Sequence, residues 1–247
     1  MVDPVAFSFG SWSIRWYGIL LALGFFLGYM IFKKFALEKG FSESLVDDFF
    51  IWLVPSGIVG ARLFEVLVYE PAYYFANPLK IFYVWEGGLA SHGGMIGAFF
   101  AVYVVSKKYK MHFYDLADLL PVPFFIGAAL GRIGNFINGE LVGKVTSVPW
   151  AVHFQGYEGL RHPSQVYESF KNFFLAGVFF SVKNLKLPKG SLFWAALGSY
   201  SVLRFVVEFW KDLPVYYQLT VAQWISLPLI IISAMMFYKV QKIQSSS

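Results

Sequence analysis

Seven long apolar runs constrain the fold more than any other feature of the sequence. A helix needs about 17 to 25 residues to cross a bilayer, and runs of this kind lie at residues 14–32, 46–69, 88–106, 115–133, 165–182, 190–210 and 219–238. Only 14% of the 247 residues are charged. Helices are the open-ended elements that pair all their backbone groups in lipid. We therefore predict an all-α polytopic membrane protein with about seven transmembrane helices, forming a single membrane domain over residues 1–247.

Lysines mark alternate connections between these runs. They follow the first, third, fifth and seventh runs, at Lys33, Lys34, Lys39, Lys107, Lys108, Lys110, Lys183, Lys186, Lys189, Lys239 and Lys242. Cytoplasmic loops of membrane proteins carry an excess of basic residues. This predicts an external N-terminus and a cytoplasmic C-terminus. The segment 134–164 would then be external, and its length predicts a small head region.

The five arginines are distributed differently from the lysines. Arg15, Arg62, Arg132, Arg161 and Arg204 all lie within apolar runs or on the predicted external side. A planar guanidinium can bind phosphate or carboxylate through two parallel hydrogen bonds, which a lysine cannot do. The distribution therefore hints at an outward-facing phosphate site. The net charge of +5 is explained first by topology, and we predict no nucleic-acid partner.

The sequence contains no cysteine, so it has no disulfide, no thiolate metal site and no cysteine nucleophile of its own. Any thiol in its chemistry must arrive on a substrate. We find no HExxH motif, acidic cluster or paired-histidine spacing that would indicate a metal. The sequence therefore predicts neither a metal nor a cofactor.

The most polar stretch within the apolar sequence is GRIGNFINGELVG, Gly131–Gly143. It combines Arg132, Asn135, Asn138 and Glu140 with four glycines, and an apolar environment would not tolerate these groups unpaired. Polar groups at membrane depth are usually functional. The alternative is a polar loop that caps helix ends.

Other polar residues are predicted to lie at the same depth. Tyr17 starts the first run, His92 lies about one turn inside the third, and Arg204 lies one to two turns from the outer end of the sixth. With Arg132 they would meet near the outer leaflet, where a phospholipid headgroup lies.

His92 and Arg204 have neighbours that suggest specific roles. Glycines flank His92 in GGLASHGG, and imidazole is suited to accept a proton from a thiol, although an interhelical packing role is equally compatible. Tyr200, Arg204 and Glu208 are spaced by four and share one helix face. Glu208 would either orient Arg204 or simply neutralise it. Arg62 and Glu65 have the spacing of a structural ion pair.

GRIGNFINGE resembles the signature of the bacterial prolipoprotein diacylglyceryl transferases. The HGG around His92, RHPSQVYE (Arg161–Glu168), LRFVVEF and TVAQWISLP also match segments of that family. In RHPSQVYE, Pro163 and Ser164 predict a helix start, with His162, Gln165 and Glu168 available to line a site. One departure is Lys211, where an arginine is more usual in the family.

The resemblance implies an activity and a set of site residues. The chain would transfer the diacylglyceryl group of phosphatidylglycerol to the lipobox cysteine of a prolipoprotein signal peptide, forming a thioether and releasing glycerol phosphate. This would take place at the outer face of the bacterial cytoplasmic (inner) membrane, among membrane lipids. Its catalytic residues would be His92, Arg132 and Arg204. Its substrate-binding residues would be Tyr17, Asn135, Asn138, Glu140, Gly143, Tyr200 and Glu208.

Two other functions also accommodate buried arginines. A phospholipid-binding transporter could hold the same charged residues, but the sequence shows no convincing inverted repeat or matched pair of broken helices. A non-catalytic lipid-binding membrane protein would not need His92. Formation of a thioether product distinguishes the transferase from both.

Overall fold

The computed structural model describes residues 3–10 and 12–245, most of which are helical. In this part of the chain the α-helices are α1 Trp16–Glu38, α2 Glu43–Phe64, α3 Pro71–Ala76, α4 Ser91–Lys108, α5 Phe113–Ala117, α6 Pro121–Asn138, α7 Ser164–Val182, α8 Ser191–Val207 and α9 Val221–Ser245. The prediction of a helical protein is confirmed for the bulk of the chain. It missed three short hairpins.

Each hairpin is an antiparallel pair of strands. The pairs are β1 Val5–Phe9 with β2 Trp12–Arg15, β3 Val152–His153 with β4 Leu160–Arg161, and β5 Val215–Tyr216 with β6 Leu219–Thr220. They lie before α1, between α6 and α7, and between α8 and α9. All three therefore occur in segments that join or precede the long helices, and none interrupts one.

The chain is a multi-pass membrane protein. Among the described residues, four helical segments are long and apolar enough to cross a bilayer: Trp16–Glu38, Glu43–Tyr69, Ser191–Trp210 and Val221–Lys242. The other three predicted runs also form helices, α4, α6 and α7, of 18, 18 and 19 residues. The number of seven spans and their orientation stay predictions.

Contacts between residues divide the chain into two compact units. The first contains Met1–Phe32 and Asp118–Ser247, and the second Lys33–Ala117. In the first unit, α6 packs against α7, where the Ser169 hydroxyl donates to the Ala129 carbonyl over 3.0 Å. Phe125 and Phe179 are buried at this contact, with ring centroids 5.8 Å apart. The prediction of one membrane domain is not decided by this division.

Two capping interactions fix the ends of α8 and α9 in the first unit. Asp118 accepts hydrogen bonds from the backbone N–H groups of Gly190 (2.6 Å) and Phe193 (2.8 Å) at the start of α8. Thr220 and Gln223 form a capping box, with reciprocal backbone-to-side-chain bonds of 3.0 and 3.2 Å. These bonds satisfy donors that a helix start leaves unpaired.

In the second unit, α2 and α4 pack antiparallel through glycines. A Cβ on Gly93 or Gly97 would lie under 3.0 Å from the carbonyl oxygens of Gly60 and Ser56, respectively. The Ser56 hydroxyl also donates to the Gly97 carbonyl over 2.9 Å. Small residues allow this close backbone approach, as is common between helices in membranes. Helix α2 continues into a π-helical turn, Glu65–Tyr69.

The polar stretch begins as helix, although a loop was predicted from residue 134. Helix α6 extends to Asn138 and ends at Gly139, which has a left-handed φ of 69°. Glycine adopts this conformation without steric cost, and it is a common helix terminator. Arg132, Asn135 and Asn138 therefore lie on the last turns of a helix.

Candidate active site

The polar side chains at the end of α6 form one hydrogen-bonded group. Asn135 accepts from Arg132 (3.4 Å) and donates to Glu140 (3.1 Å). Asn138 donates to the other carboxylate oxygen of Glu140, also over 3.1 Å. The turn at Gly139 brings the Glu140 N–H to 3.0 Å from the Asn135 carbonyl. Four of the predicted site residues thus lie together.

Tyr17 lies against the same turn of α6. A Cβ on Gly134 would be 2.8 Å from Cδ2 of Tyr17, so only glycine leaves room for the ring. The charges of Glu140 and Arg132 are near enough to act on the Tyr17 hydroxyl. Among the described residues, the buried Oδ1 of Asn138 has no hydrogen-bond partner. A buried acceptor without a donor is uncommon and suits a donor brought by a ligand.

A buried ion cluster lies where α7 meets the end of α8. We define this ion cluster as Glu168, Lys171, Arg204, Glu208 and Lys211. Glu168 is 0% exposed and contacts Arg204. Its carboxylate is also 2.7 Å from Nζ of Lys171 and 2.8 Å from Nζ of Lys211. Three cations therefore meet on one buried carboxylate.

Glu208 is the second carboxylate of the ion cluster. Its Oε2 lies 3.4 Å from Arg204 and 3.2 Å from Lys211. Its Oε1 accepts a hydrogen bond of 3.1 Å from the Thr220 hydroxyl. The cluster therefore has three positive and two negative charges. Arg132 lies near enough for its charge to act on Glu168, and Asn135 links Arg132 to Glu140. The positive excess therefore stays at one charge, which an anion would neutralise.

Lys211 follows the short 3-10 turn Glu208–Trp210 and is 2% exposed. Burial, with the nearby charge of Arg204, lowers the pKa of Lys211 to about 8. Opposing this, the two carboxylates favour the charged amine. The Lys211 amine is thus directed at Glu168 and Glu208 inside the protein.

Tyr200 lies beside the ion cluster. Nζ of Lys171 lies 4.2 Å from the centroid of the Tyr200 ring, an arrangement in which the ring face attracts the cation. The ring also packs against Phe124 and Phe125, with centroids 5.8 and 6.1 Å away. Tyr200 therefore separates the cluster from the aromatic residues of α6.

An apolar groove runs between α7 and α8 next to the ion cluster. It has a volume of about 410 Å³. The lining residues are Val166, Tyr167, Phe170, Lys171, Phe174, Leu203, Val206 and Val207. Lys171 belongs to both the groove and the cluster. The apolar groove is thus adjacent to the positively charged ion cluster.

Gly143 lies at a crossing of backbone segments. Its N–H donates to the His162 carbonyl over 3.0 Å, and the next N–H, of Lys144, donates to the Trp210 carbonyl over 2.9 Å. A Cβ on Gly143 would lie 2.6 Å from Cβ of His162 and 2.7 Å from the Trp210 carbonyl oxygen. This crowding gives Gly143 a structural reason to be glycine, and its predicted contact with substrate stays a prediction.

The segment around RHPSQVYE starts a helix as predicted. Helix α7 begins at Ser164, directly after Pro163. The Ser164 hydroxyl donates to the Leu141 carbonyl over 2.9 Å, and Gln165 donates to the Glu140 carbonyl. Burial lowers the pKa of His162. The hydrogen bonds of Ser164 and Gln165 join the start of α7 to the chain just after α6.

His92 lies in the first turn of α4, in the second unit. The helix begins at Ser91, not at residue 88 as predicted, because Gly87 and Gly88 have left-handed φ values of 95° and 69°. Nδ1 of His92 is 3.1 Å from the Tyr69 hydroxyl. The ring of Phe64 stacks on the imidazole with centroids 5.7 Å apart.

Arg62 organises the chain before α4. Its guanidinium donates to the carbonyls of five residues, Lys80, Ile81, Tyr83, Gly87 and Gly88. Its CZ also lies 4.8 Å from the centroid of the Tyr74 ring. The predicted pairing with Glu65 is therefore replaced by backbone contacts, which hold residues 80–88 in place.

The structure brings most of the predicted residues of the first unit into two adjoining groups. Arg132, Asn135, Asn138, Glu140 and Tyr17 form one, and Arg204, Glu208 and Tyr200 belong to the other or border it. His92 lies in the second unit, and its convergence with the arginines stays a prediction. Lys171 and the central position of Glu168 were missed. The spacing of three between Glu168 and Lys171 was the available signal.

Comparison with known proteins identifies the family. The family model of prolipoprotein diacylglyceryl transferase matches residues 4–239. A phosphatidylglycerol--prolipoprotein diacylglyceryl transferase of Geobacter sulfurreducens is 40% identical over 85% of this chain and 83% of its own. Proteins of the same name from Wolbachia pipientis subsp. Culex pipiens and Bordetella parapertussis are both 37% identical, over 96% and 94% of this chain and 94% and 93% of theirs. The chain belongs to the prolipoprotein diacylglyceryl transferase family.

Proposed function

We propose that this chain transfers the diacylglyceryl group of phosphatidylglycerol to the lipobox cysteine of a prolipoprotein. Its place in the family supports the reaction. The observation that carries the proposal is the positive excess of the buried ion cluster beside an apolar groove. Phosphatidylglycerol has an anionic headgroup, which suits the positive cluster, and acyl chains, which suit the apolar groove.

The arginines suit the charge changes of this reaction. The thiolate sulfur attacks the glyceryl carbon of the diacylglyceryl group, and the bond from that carbon to the phosphate oxygen breaks. The electron pair of the broken bond stays on glycerol phosphate, which leaves as an anion. Arg204 and Arg132 would stabilise the charge that grows on this oxygen, an electrostatic role that often dominates catalysis.

His92 is our candidate for the base that accepts the thiol proton. A thiolate is the reactive nucleophile, and imidazole titrates nearest to neutral pH. The chain has no cysteine, so the sulfur comes from the prolipoprotein. In the same proposal, Asn135, Asn138 and Glu140 position the headgroup, with the unpaired Oδ1 of Asn138 accepting from a glycerol hydroxyl.

The proposed enzyme works at the outer face of the bacterial cytoplasmic membrane. We propose seven spans with an external N-terminus, because lysines follow alternate apolar runs. Helices α4, α6 and α7 would supply the three spans beyond the four most apolar segments. The segment between α6 and α7 would then be the external head.

A product assay tests the proposal. Purified protein is incubated with phosphatidylglycerol and a peptide containing a lipobox cysteine, and mass spectrometry detects the thioether-linked diacylglyceryl peptide. We expect Arg132→Ala to lower the turnover by at least about 100-fold, the effect of losing one electrostatic stabiliser of the transition state. Lys186→Ala is the matched control, because it removes an equal charge from an exposed position.

The outcomes separate the possible functions. Product from the wild-type protein and from Lys186→Ala, with almost none from Arg132→Ala, supports the transferase and its anion site. Full activity of Arg132→Ala would remove Arg132 from the mechanism. Absence of product from the wild-type protein, under conditions where it binds phosphatidylglycerol, would favour a lipid-binding or transport function.

A further inference from the structure

We propose that Glu168 is the residue that positions Arg204 for the substrate phosphate, and that Lys171 and Lys211 hold Glu168 in place. The proposal deepens the proposed function and rests on it for the role of Arg204. The sequence pointed to Glu208 as the partner that orients Arg204. The geometry of the ion cluster points to Glu168.

The two carboxylates contact different nitrogens of the Arg204 guanidinium. Nη1 is paired with Oε1 of Glu168, and Nη2 lies 3.4 Å from Oε2 of Glu208. Glu208 is four residues from Arg204 on the same helical segment, so it moves together with it. Glu168 belongs to α7. Of these two contacts, the one with Glu168 is therefore the contact that ties Arg204 to a different helix.

Glu168 is itself fixed from two further directions. Lys171, one turn along α7, contacts Oε2 at 2.7 Å, and Lys211, beyond the end of α8, contacts Oε1 at 2.8 Å. Glu168 is 0% exposed, and Lys171 and Lys211 are 5% and 2% exposed. Buried ions pay a large desolvation cost unless they are paired. The two lysines thus keep this carboxylate charged and restrict its rotamers.

The charge count explains why position 168 needs a carboxylate. With Glu168 the cluster has three positive and two negative charges, and with glutamine it would have three and one. Repulsion would then drive the Arg204 guanidinium towards solvent. Aspartate would keep the charge but shorten the reach. The variants Glu168→Gln and Glu168→Asp therefore separate charge from geometry.

A paired substitution distinguishes positioning from simple neutralisation. Lys171→Met removes one positive charge with little change in side-chain volume. The double variant Glu168→Gln/Lys171→Met restores the net charge of the wild-type cluster. If Glu168 positions Arg204, we expect the double variant to stay about 100-fold below the wild-type protein in kcat with little change in the KM of the peptide, because a 1 Å displacement of a catalytic group can cost this much. Recovery to within about threefold of the wild-type protein would overturn the proposal.

A chemical readout tests the same contact without using activity. Phenylglyoxal modifies accessible arginines, and mass spectrometry of the digested protein follows each arginine separately. We expect Arg204 to react about tenfold faster in Glu168→Gln than in the wild-type protein, as expected for loss of a charge-assisted hydrogen bond. Arg62 serves as the internal reference for a retained fold, because it is buried in the other unit.

The two readouts keep the proposals distinguishable. Glu158→Gln is the matched control, since Glu158 is exposed and the change in charge is the same. Unchanged modification of Arg204 in Glu168→Gln, with Arg62 still protected, would overturn the positioning role. If the wild-type protein forms no thioether product, the proposed function fails, while arginine modification still decides whether Glu168 holds Arg204.

Discussion

At the scale of single residues, the hydrogen bond between Tyr69 and His92 governs what the histidine can do. The Tyr69 hydroxyl is 3.1 Å from Nδ1. For His92 to accept a proton at Nε2, Nδ1 must carry the hydrogen and donate it to Tyr69. A tyrosine hydroxyl can donate or accept, and in this tautomer it accepts from Nδ1 and orients the ring. Tyr69 would thereby make the proposed base available.

We expect Tyr69→Phe to lower the kcat of thioether formation by about tenfold, the usual lower range for loss of such a supporting hydrogen bond. The phenylalanine keeps the ring that packs against Phe64 and removes only the hydroxyl. Tyr73→Phe is the control, because Tyr73 is 46% exposed. Wild-type activity of Tyr69→Phe, together with an inactive His92→Asn, would show that this bond does not set the tautomer.

Sequence reasoning at this scale found local partners and missed distant ones. The spacing of four between Arg204 and Glu208 predicted their contact, which the structure contains. The partner of Arg204 across the helices, Glu168, lies 36 positions earlier. Helical periodicity fixes which residues share a face of one helix, but it does not set the register between two helices. The contacts between α7 and α8 therefore could not be predicted from the sequence and are seen only in the structure.

At the scale of elements, the apolar runs predicted where the helices lie better than they predicted the residues at which the helices begin and end. Each of the seven runs contains a helix, although the fourth is divided between α5 and α6. Helix α6 continues to Asn138, and α4 begins only at Ser91. Both boundaries follow from glycines with left-handed φ, at Gly139 and at Gly87 and Gly88. Many other glycines of the chain lie inside helices. Which glycines terminate a helix depends on backbone conformation that hydropathy does not report.

The contact between α2 and α4 should be sensitive to a single methyl group. In Gly97→Ala the added Cβ would clash with the Ser56 carbonyl and lie 2.8 Å from Cα of Gly57. We expect a loss of about 1 to 3 kcal/mol of unfolding free energy, the usual cost of overpacking. Thermal unfolding in detergent would show this as a lower midpoint.

Gly57→Ala is the matched control on the facing helix. A Cβ at Gly57 would meet nothing within 4 Å, and alanine favours a helix by about 0.5 to 1 kcal/mol over glycine. We expect its unfolding midpoint to equal or exceed that of the wild-type protein. Equal midpoints for Gly97→Ala and Gly57→Ala would show that α2 and α4 do not pack as closely as the structure indicates.

At the scale of the whole molecule, α7 shows how one helix can combine buried charges with an exposed apolar face. It is not among the four segments apolar enough to span. Its charged residues Glu168 and Lys171 are buried in the ion cluster, whereas Phe170 and Phe174 are 74% and 57% exposed. The exposed face is thus more apolar than the helix as a whole. A helix of this kind can contact lipid and still supply buried charges.

A topology experiment tests whether α7 crosses the membrane. Glu158 precedes α7 and Lys186 follows it, both are exposed, and the chain has no native cysteine. Glu158→Cys and Lys186→Cys therefore each create a single thiol. With a membrane-impermeant maleimide and intact cytoplasmic membranes, we expect only Glu158→Cys to be labelled. Lys186→Cys should react after permeabilisation, because the positive-inside rule places its loop in the cytoplasm.

Each outcome of this labelling has a different structural meaning. Labelling of Lys186→Cys alone in intact cells would reverse the predicted orientation. Equal labelling of both positions would place the two ends of α7 on the same side, so that α7 would not span. The ion cluster would then lie in a helix that enters and leaves one face, and the count of seven spans would be wrong. Labelling of Glu158→Cys alone would place α7 across the bilayer, with its N-terminal end on the outside.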